Sequence, residues 1–416
     1  RGCAVSARQG TVAPWQLRAR FAAGLSAMYA AEVPAYGTLV EVCGQVNAAY
    51  VARNPGAERL GSLDRVTAER HGAIRVGSPA ELAAVADLFA AFGMYPVGYY
   101  DLRRAASPIP VVSTAFRPID ANELARNPFR VFTSMLAARD ARYFGPELRA
   151  RVETFVARRR LFDPALVARA RTIAAEGGCA ADEAGAFVSA AVAAFALSRE
   201  PIDKAWYDEL SRVSPVDADI AGVGSTHINH LTPRVLDIDE LYRRMNARGV
   251  AMIDAIQGPP RTDGPAVLLR QTSFRALAEP CLFRGRDGRI TPGSVRVRFG
   301  EVEARGVALT REGRERYDAA MGAPDPASVW GRHFPSTDAG MAAEGLAYYR
   351  GGNPSAPIVY EDFLPASAAG IFRSNLDRET RARAAPDDSG YDARWLAGAI
   401  GREVHDPYAL YEEAAR

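Results

Sequence analysis

No stretch of this 416-residue chain is apolar for long enough to cross a bilayer. The most apolar run, residues 184–197, is interrupted by Ser189 and falls short of the ~20 residues a spanning helix needs. A second apolar stretch, 21–31, follows Arg18 and Arg20 but runs into Glu32-Val33-Pro34 without a small-residue cleavage site, so it reads as an ordinary helix and not as a secretory leader. Cysteine is scarce. Cys3, Cys43, Cys179 and Cys281 lie far apart with no CxxC pair, which gives neither a zinc knuckle nor a disulfide scaffold and makes a reducing cytoplasm the expected location. An excess of one charge is also missing: 51 Lys and Arg face 49 Asp and Glu, and the one basic cluster is Arg158-Arg159-Arg160. Nucleic acid and membrane are therefore not expected partners, and no solenoid period or low-complexity block is present.

What remains is of ordinary globular make-up, 48% apolar and 24% charged, with room for two or three lobes or one elaborated domain. The pattern along the chain is of α+β class, with a strand-helix-strand unit followed later by a strand, a helix and three strands. Residues 65–135 hold a first βαβ-type unit. Positions 73–76 have strand character, Ser78 before Pro79 opens a helix that Gly93 closes, and a strand over 95–100 follows. Residues 146–210 are rich in Ala and Arg at helical spacing and read as a helical insertion. Residues 225–305 hold the second unit. There 227–231 is extended ahead of Thr232-Pro233, Asp237 or Asp239 caps a helix that Gly249 ends, and strands follow over 250–256, 266–272 and 295–304. Residues 306–416 form a cover of helices and strands.

Five histidines are few, and three of them, His71, His227 and His230, stand where the two units open. If a strand runs from Gly72, alternation puts His71, Ala73 and Arg75 on one face. An imidazole beside a guanidinium suits a metal with an anionic substrate next to it, since Arg presents a planar fork of donors to a carboxylate. By spacing alone, a surface His near a surface Arg is the plainer reading. In extended chain His227 and His230 point to opposite faces, so in a metal site one is a ligand and the other supports it, while a pair of ordinary core or surface histidines is an equal reading. Along 295–303, alternation gives Val295, Val297, Phe299, Glu301 and Glu303 one face and Arg296 and Arg298 the other. Carboxylates on an apolar face need a cation, a proton or a metal, and spacing leaves Glu301 and Glu303 as alternatives. Two His and one carboxylate with open positions make the facial triad of non-haem Fe(II) oxygenases. Arg270 lies on a strand expected to neighbour that of the glutamates. Residues 360–370 run from an acidic strand end into a loop of small residues, whose amides can approach a carboxylate.

These segments resemble the 2-oxoadipate dioxygenase/decarboxylase family, also called 2-hydroxyglutarate synthases. The resemblance is carried by Glu32-Val33-Pro34, Glu69-Arg70-His71-Gly72-Ala73-Ile74-Arg75, Asn127-Pro128-Phe129-Arg130, His227-Ile228-Asn229-His230-Leu231-Thr232-Pro233-Arg234, Leu269-Arg270-Gln271-Thr272-Ser273-Phe274, Phe299-Gly300-Glu301-Val302-Glu303 and Tyr360-Glu361-Asp362-Phe363-Leu364-Pro365. It implies one elaborated catalytic domain over residues 1–416 with a fold similar to the vicinal-oxygen-chelate enzymes, a central curved sheet built from two βαβββ-type units that enclose a metal, surrounded by helices. It also implies Fe(II) held by His71, His230 and Glu301, with His227, Glu303 and Arg270 as supporting neighbours. Arg75 is implied to bind a substrate carboxylate, helped by Ala366 and Ser367. The family carries valine where this chain has Ala366, and this chain is shorter just before Tyr360; both departures fall at the pocket for the substrate tail.

The implied reaction takes 2-oxoadipate and O2 to 2-hydroxyglutarate and CO2 in lysine breakdown, so the expected partners are a small 2-oxo dicarboxylate and O2. The rivals are the same scaffold acting on another 2-oxo acid, a Zn2+ or Mn2+ isomerase or hydrolase that needs no oxygen, and a binding protein with a structural metal.

Overall fold

Strand β1 (Arg70–Val76) divides the molecule, because its alternating side chains serve two different interiors. Ile74 and Val76 point into the largest apolar cluster, while Ala73 belongs to a second cluster on the opposite face. The computed structural model containing it describes residues 10–105, 108–296, 298–375 and 387–416. Its architecture is α+β, and among these residues no helix is long and apolar enough to cross a membrane.

After β1 the Ser78 hydroxyl accepts from the Glu81 amide and starts the helix Pro79–Ala90, with Pro79 in its first turn. The chain returns as β2 (Tyr95–Asp101), β3 (Val111–Arg117) and β4 (Arg130–Leu136). The hydrogen-bonded order is β2-β3-β4-β1, with β4 parallel to β1. Strand β5 (His230–Pro233) adds antiparallel to the other edge of β1, setting His230 opposite Ala73 and Thr232 opposite His71.

The second run is more broken. Asp237 caps the helix Ile238–Ala247, and β6 (Leu269–Phe274) follows. A hairpin of β7 (Glu279–Arg284) and β8 (Ile290–Val295) then intervenes before β9 (Gly300–Arg305), which pairs antiparallel with β6. A short parallel bridge, with the Val235 amide donating to the Glu303 carbonyl at 2.8 Å, joins β9 to the end of β5.

Residues 250–256, expected as a strand, touch β6 only through bridges at Met252 and Gln257, because the chain bows outward at the exposed Asp254 between them. The expected strand over 295–304 is two separate pieces. It breaks between β8 and β9, where Arg298 turns inward to Glu279 and Glu32; Val297 lies outside the described residues. The small-residue loop expected after Leu364 is a helix, Pro365–Asn375, since proline suits a first turn and Ala is the best helix former.

The region read as a helical insertion carries the helices Pro146–Arg158, Pro164–Glu176, Ala181–Ala193 and Lys204–Ser211. The apolar stretch near the start is the helix Pro14–Glu32, whose Phe21 stacks on Phe92 at 4.4 Å between ring centres and meets Phe89, Phe129 and Phe195.

Candidate metal centre

Antiparallel pairing of β1 with β5 turns His71 and His230 to the same face, their ring centres 5.4 Å apart and their planes nearly perpendicular. Strand β9 brings Glu301 between them. His71 Nε2 lies 3.8 Å from Glu301 Oε1, and His230 Nε2 lies 3.5 Å from Glu301 Oε2. One donor atom from each of the three falls within 4.8 Å of the others, and all three residues are buried. The remaining ring nitrogens are engaged behind: His71 Nδ1 is 3.0 Å from Glu303 Oε2, and His230 Nδ1 is 2.9 Å from Thr232 Oγ1. Each outer contact fixes a ring and leaves its Nε2 facing the gap, the arrangement common behind metal-bound histidines. Phe363 packs edge-on against His71, and Phe299 stacks on His230.

Burial lowers the pKa of both histidines, which keeps them in the neutral form that coordinates metal. Burial also pushes the Glu301 carboxyl well above its usual range. The nearby charge of Glu303 adds to this, while Arg305 and a hydrogen bond from the Gln271 amide oppose it. Among the described residues no Lys or Arg lies within ion-pair distance of Glu301. A buried carboxylate with no fixed cation, facing two neutral imidazole nitrogens, is a donor set that fits a divalent ion, because the ion supplies the missing positive charge.

Glu303 is placed differently. Arg305 grips it with Nε at 2.7 Å and Nη2 at 2.9 Å, and Arg130 Nη1 stands at 3.6 Å. Burial opposes its charge, but Arg305, His71 and Arg130 outweigh burial and hold it well below the usual carboxylate range. The pairing continues through Glu69, which meets Arg130 at 2.7 Å and Arg234 at 2.9 Å, to Glu361, which meets Arg130 and Arg65.

Arg75 lies on the same face of β1 as His71, and its charge bears on His230. Its Nη1 pairs with Asp219, on the helix Pro215–Gly222. His227 Nε2 is 3.2 Å from the other Asp219 oxygen, so this histidine stands behind Arg75 and not against the His71–His230 pair. Arg270, expected beside the site, points away from it and pairs with Asp239 at 2.7 Å. Its neighbour Gln271 takes that place, since Glu303 is opposite Gln271 and Glu301 opposite Ser273, which turns the odd-numbered residues of β6 toward the triad. Ala366 and Ser367 are in the first turn of the helix Pro365–Asn375; Ser367 is buried, and the Ala366 side chain lies outside those described. Sequence reasoning missed Asp219, Thr232 and the arginines around Glu303. The acid in the otherwise apolar stretch 218–223 was the available signal for Asp219.

Residues 21–375 match the family described as 2-oxoadipate dioxygenase/decarboxylase. A relative of that name from Mycobacterium tuberculosis is 80% identical over 401 residues, covering 96% of this chain and 97% of its own. Another from Pseudomonas putida is 39% identical, covering 97% and 96%. Among solved structures, the hydroxyglutarate synthase of Pseudomonas putida in complex with 2-oxoadipate is similar with a TM-score of 0.82 at 38% identity, over 98% of this chain and 97% of that one. A putative glyoxalase superfamily protein from Ralstonia eutropha, 21% identical with a TM-score of 0.53 over 72% and 88%, shares the fold alone.

Proposed function

Because the chain belongs to the 2-oxoadipate dioxygenase/decarboxylase family, we propose that His71, His230 and Glu301 hold Fe(II) and that the protein converts 2-oxoadipate and O2 into 2-hydroxyglutarate and CO2. The observation that supports this best is Glu301, buried between two neutral imidazole nitrogens with no arginine among the described residues in ion-pair contact with it. Fe(II) bound there would chelate the 2-oxo acid end of the substrate and supply the electrons that activate O2. C1 leaves as CO2 with its own oxygens, one O2 oxygen enters the new carboxylate at the former keto carbon and the other becomes the hydroxyl, so the substrate serves as its own oxo acid and no separate 2-oxo acid is consumed.

The chain's own residues then have distinct tasks. Glu303 stands 3.0 Å from His71 Nδ1, and Thr232 engages His230 Nδ1; each restrains a ring so that its Nε2 stays aimed at the metal. The Gln271 amide orients the Glu301 carboxylate. Phe299 and Phe363 flank the two histidine rings and exclude water, which strengthens every polar contact inside. Arg75 binds the far carboxylate of the substrate with a charge-assisted pair of hydrogen bonds, and the first-turn amides near Ala366 and Ser367, which lack partners within their helix, receive the same end.

The sheet supports a finer reading of the fold as two modules of vicinal-oxygen-chelate type. One is β1 to β4 with its helix. The other is β5, the stretch 252–257, β6 and β9, into which the β7–β8 hairpin is inserted. We place both in a single elaborated domain acting in the cytoplasm.

Anaerobic titration with Fe(II), followed by O2 uptake on adding 2-oxoadipate, tests the proposal. One equivalent of iron and matched O2 consumption and CO2 release are expected. Turnover with Zn2+ in the absence of O2 would replace it with the isomerase or hydrolase reading.

A further inference from the structure

Asp219 is a buried acid that the metal centre does not use, and every feature around it bears on Arg75. One of its oxygens takes Arg75 Nη1 and also accepts from Asn229 Nδ2 at 2.9 Å. The other lies 3.2 Å from His227 Nε2, and His227 Nδ1 is 3.4 Å from Ser225 Oγ. Arg75 is held at its backbone too, where the Thr226 hydroxyl donates to its carbonyl at 2.7 Å. Residues 225–229 therefore clamp Arg75 twice, once directly and once through Asp219. All of Arg75, Asp219, His227 and Asn229 are buried. Burial disfavours the Asp219 carboxylate, but His227 and Arg75 outweigh it and keep the group ionised.

This arrangement has a consequence for recognition. A buried guanidinium already matched by a carboxylate offers no surplus charge to an arbitrary anion. What it offers is a guanidinium held in one orientation, because the long Arg side chain has lost its freedom to the pair with Asp219. A substrate with a second carboxylate at the right distance gains a charge-assisted contact with the guanidinium so held, and a substrate without one gains none.

We propose that Asp219, backed by His227 and Asn229, is the positioning residue that orients Arg75 and thereby sets the preference for a dicarboxylate over a monocarboxylate 2-oxo acid. The proposal rests on the reading of Arg75 as the receiver of the far carboxylate. Its test compares kcat/KM for 2-oxoadipate with that for 2-oxohexanoate, which has the same carbon count and no second carboxylate, in wild type, Arg75→Gln, Asp219→Asn and the double variant. Asp219→Asn is expected to lower the 2-oxoadipate preference by about 10-fold or more, mainly through a raised KM for 2-oxoadipate and with iron content unchanged. The double variant is expected to show the same preference as Arg75→Gln alone, because Asp219 acts through Arg75.

A wild-type preference in Asp219→Asn, with Arg75→Gln losing it, overturns this proposal and leaves the Arg75 reading standing. Additive losses in the double variant also overturn it. An unchanged preference in Arg75→Gln overturns the Arg75 reading itself, and this proposal with it. Should Asp219→Asn fail to fold, Asn229→Ala removes one donor from Asp219 and keeps both charges. A reduced preference there supports the proposal, and an unchanged one overturns it.

Discussion

Glu301 and Glu303 stand two residues apart on one face of β9, equally hidden from water, and their surroundings drive them in opposite directions. Around Glu303 the chain gathers Arg305 and Arg130, which are themselves matched by Glu69 and Glu361. Around Glu301 it places an amide and two neutral imidazoles. The first carboxylate is a finished ion pair and the second an unfinished one. Role at a buried charged position follows from what the neighbours leave unmatched, which residue type and spacing do not reveal.

The sharpest way to break this contrast is to neutralise each acid in turn. Glu301→Gln is expected to lose iron binding and O2 uptake together, while the metal-free protein melts no lower than wild type, since a buried charge without a cation has been removed. Iron content by metal analysis and a melting curve check both halves. Glu303→Gln is expected to act on stability first and on iron second. It leaves Arg305 and Arg130 short of a partner and should cost about 3–5 kcal/mol in denaturant unfolding. Iron affinity should fall about 10- to 100-fold, because the His71 ring loses its support.

The contrast also has a pH signature. Glu69 and Glu303 are held below the usual range, as is Glu361, because their arginine partners outweigh burial. Their stabilisation is present above the unfolded pKa of about 4.3 and is lost as pH falls through their lower folded values. Metal-free protein should therefore lose stability steadily below about pH 4, and Glu303→Gln should show a shallower decline in urea titrations across that window.

A third buried acid refines the comparison. Asp217 is fully buried, neither carboxylate oxygen has a hydrogen-bond partner among the described residues, and burial pushes its pKa well above the usual range. A raised folded pKa imposes no penalty below about pH 3.9 and a growing one above it. Asp217→Asn should accordingly stabilise the protein by about 1–2 kcal/mol at pH 7, with the gain vanishing near pH 4. A gain that persisted at pH 4 would show that packing, not charge, was relieved.

Much of the first half of the sheet was legible because local chemistry and long-range order agree there. Ser78-Pro79, Gly93 and the alternation of β1 mark the elements, and the placement of His71 and Arg75 follows from that alternation. The second half was less legible, since the pairing of β6 with β9 spans a hairpin that the turn at residues 284–288 marked only in part. Gln271, and not the expected Arg270, faces the triad by strand parity, which only the register with β9 settles. Asp219 could not be connected with Arg75 at all, because 144 residues separate them and no local pattern spans that interval.

Tyr29, on the helix Pro14–Glu32, has its hydroxyl 3.2 Å from the Asn229 carbonyl and 2.9 Å from the Phe299 carbonyl. Those carbonyls belong to the residue preceding His230 and to the residue two before Glu301. One phenol oxygen thus acts as a spacer gauge between two chain segments that no strand ladder joins at that point, and the N-terminal helix sets how far apart His230 and Glu301 rest. Tyr29→Phe should release iron to a chelator faster than wild type while the protein stays folded, which would make a helix some forty residues from the nearest ligand a determinant of how long the metal remains.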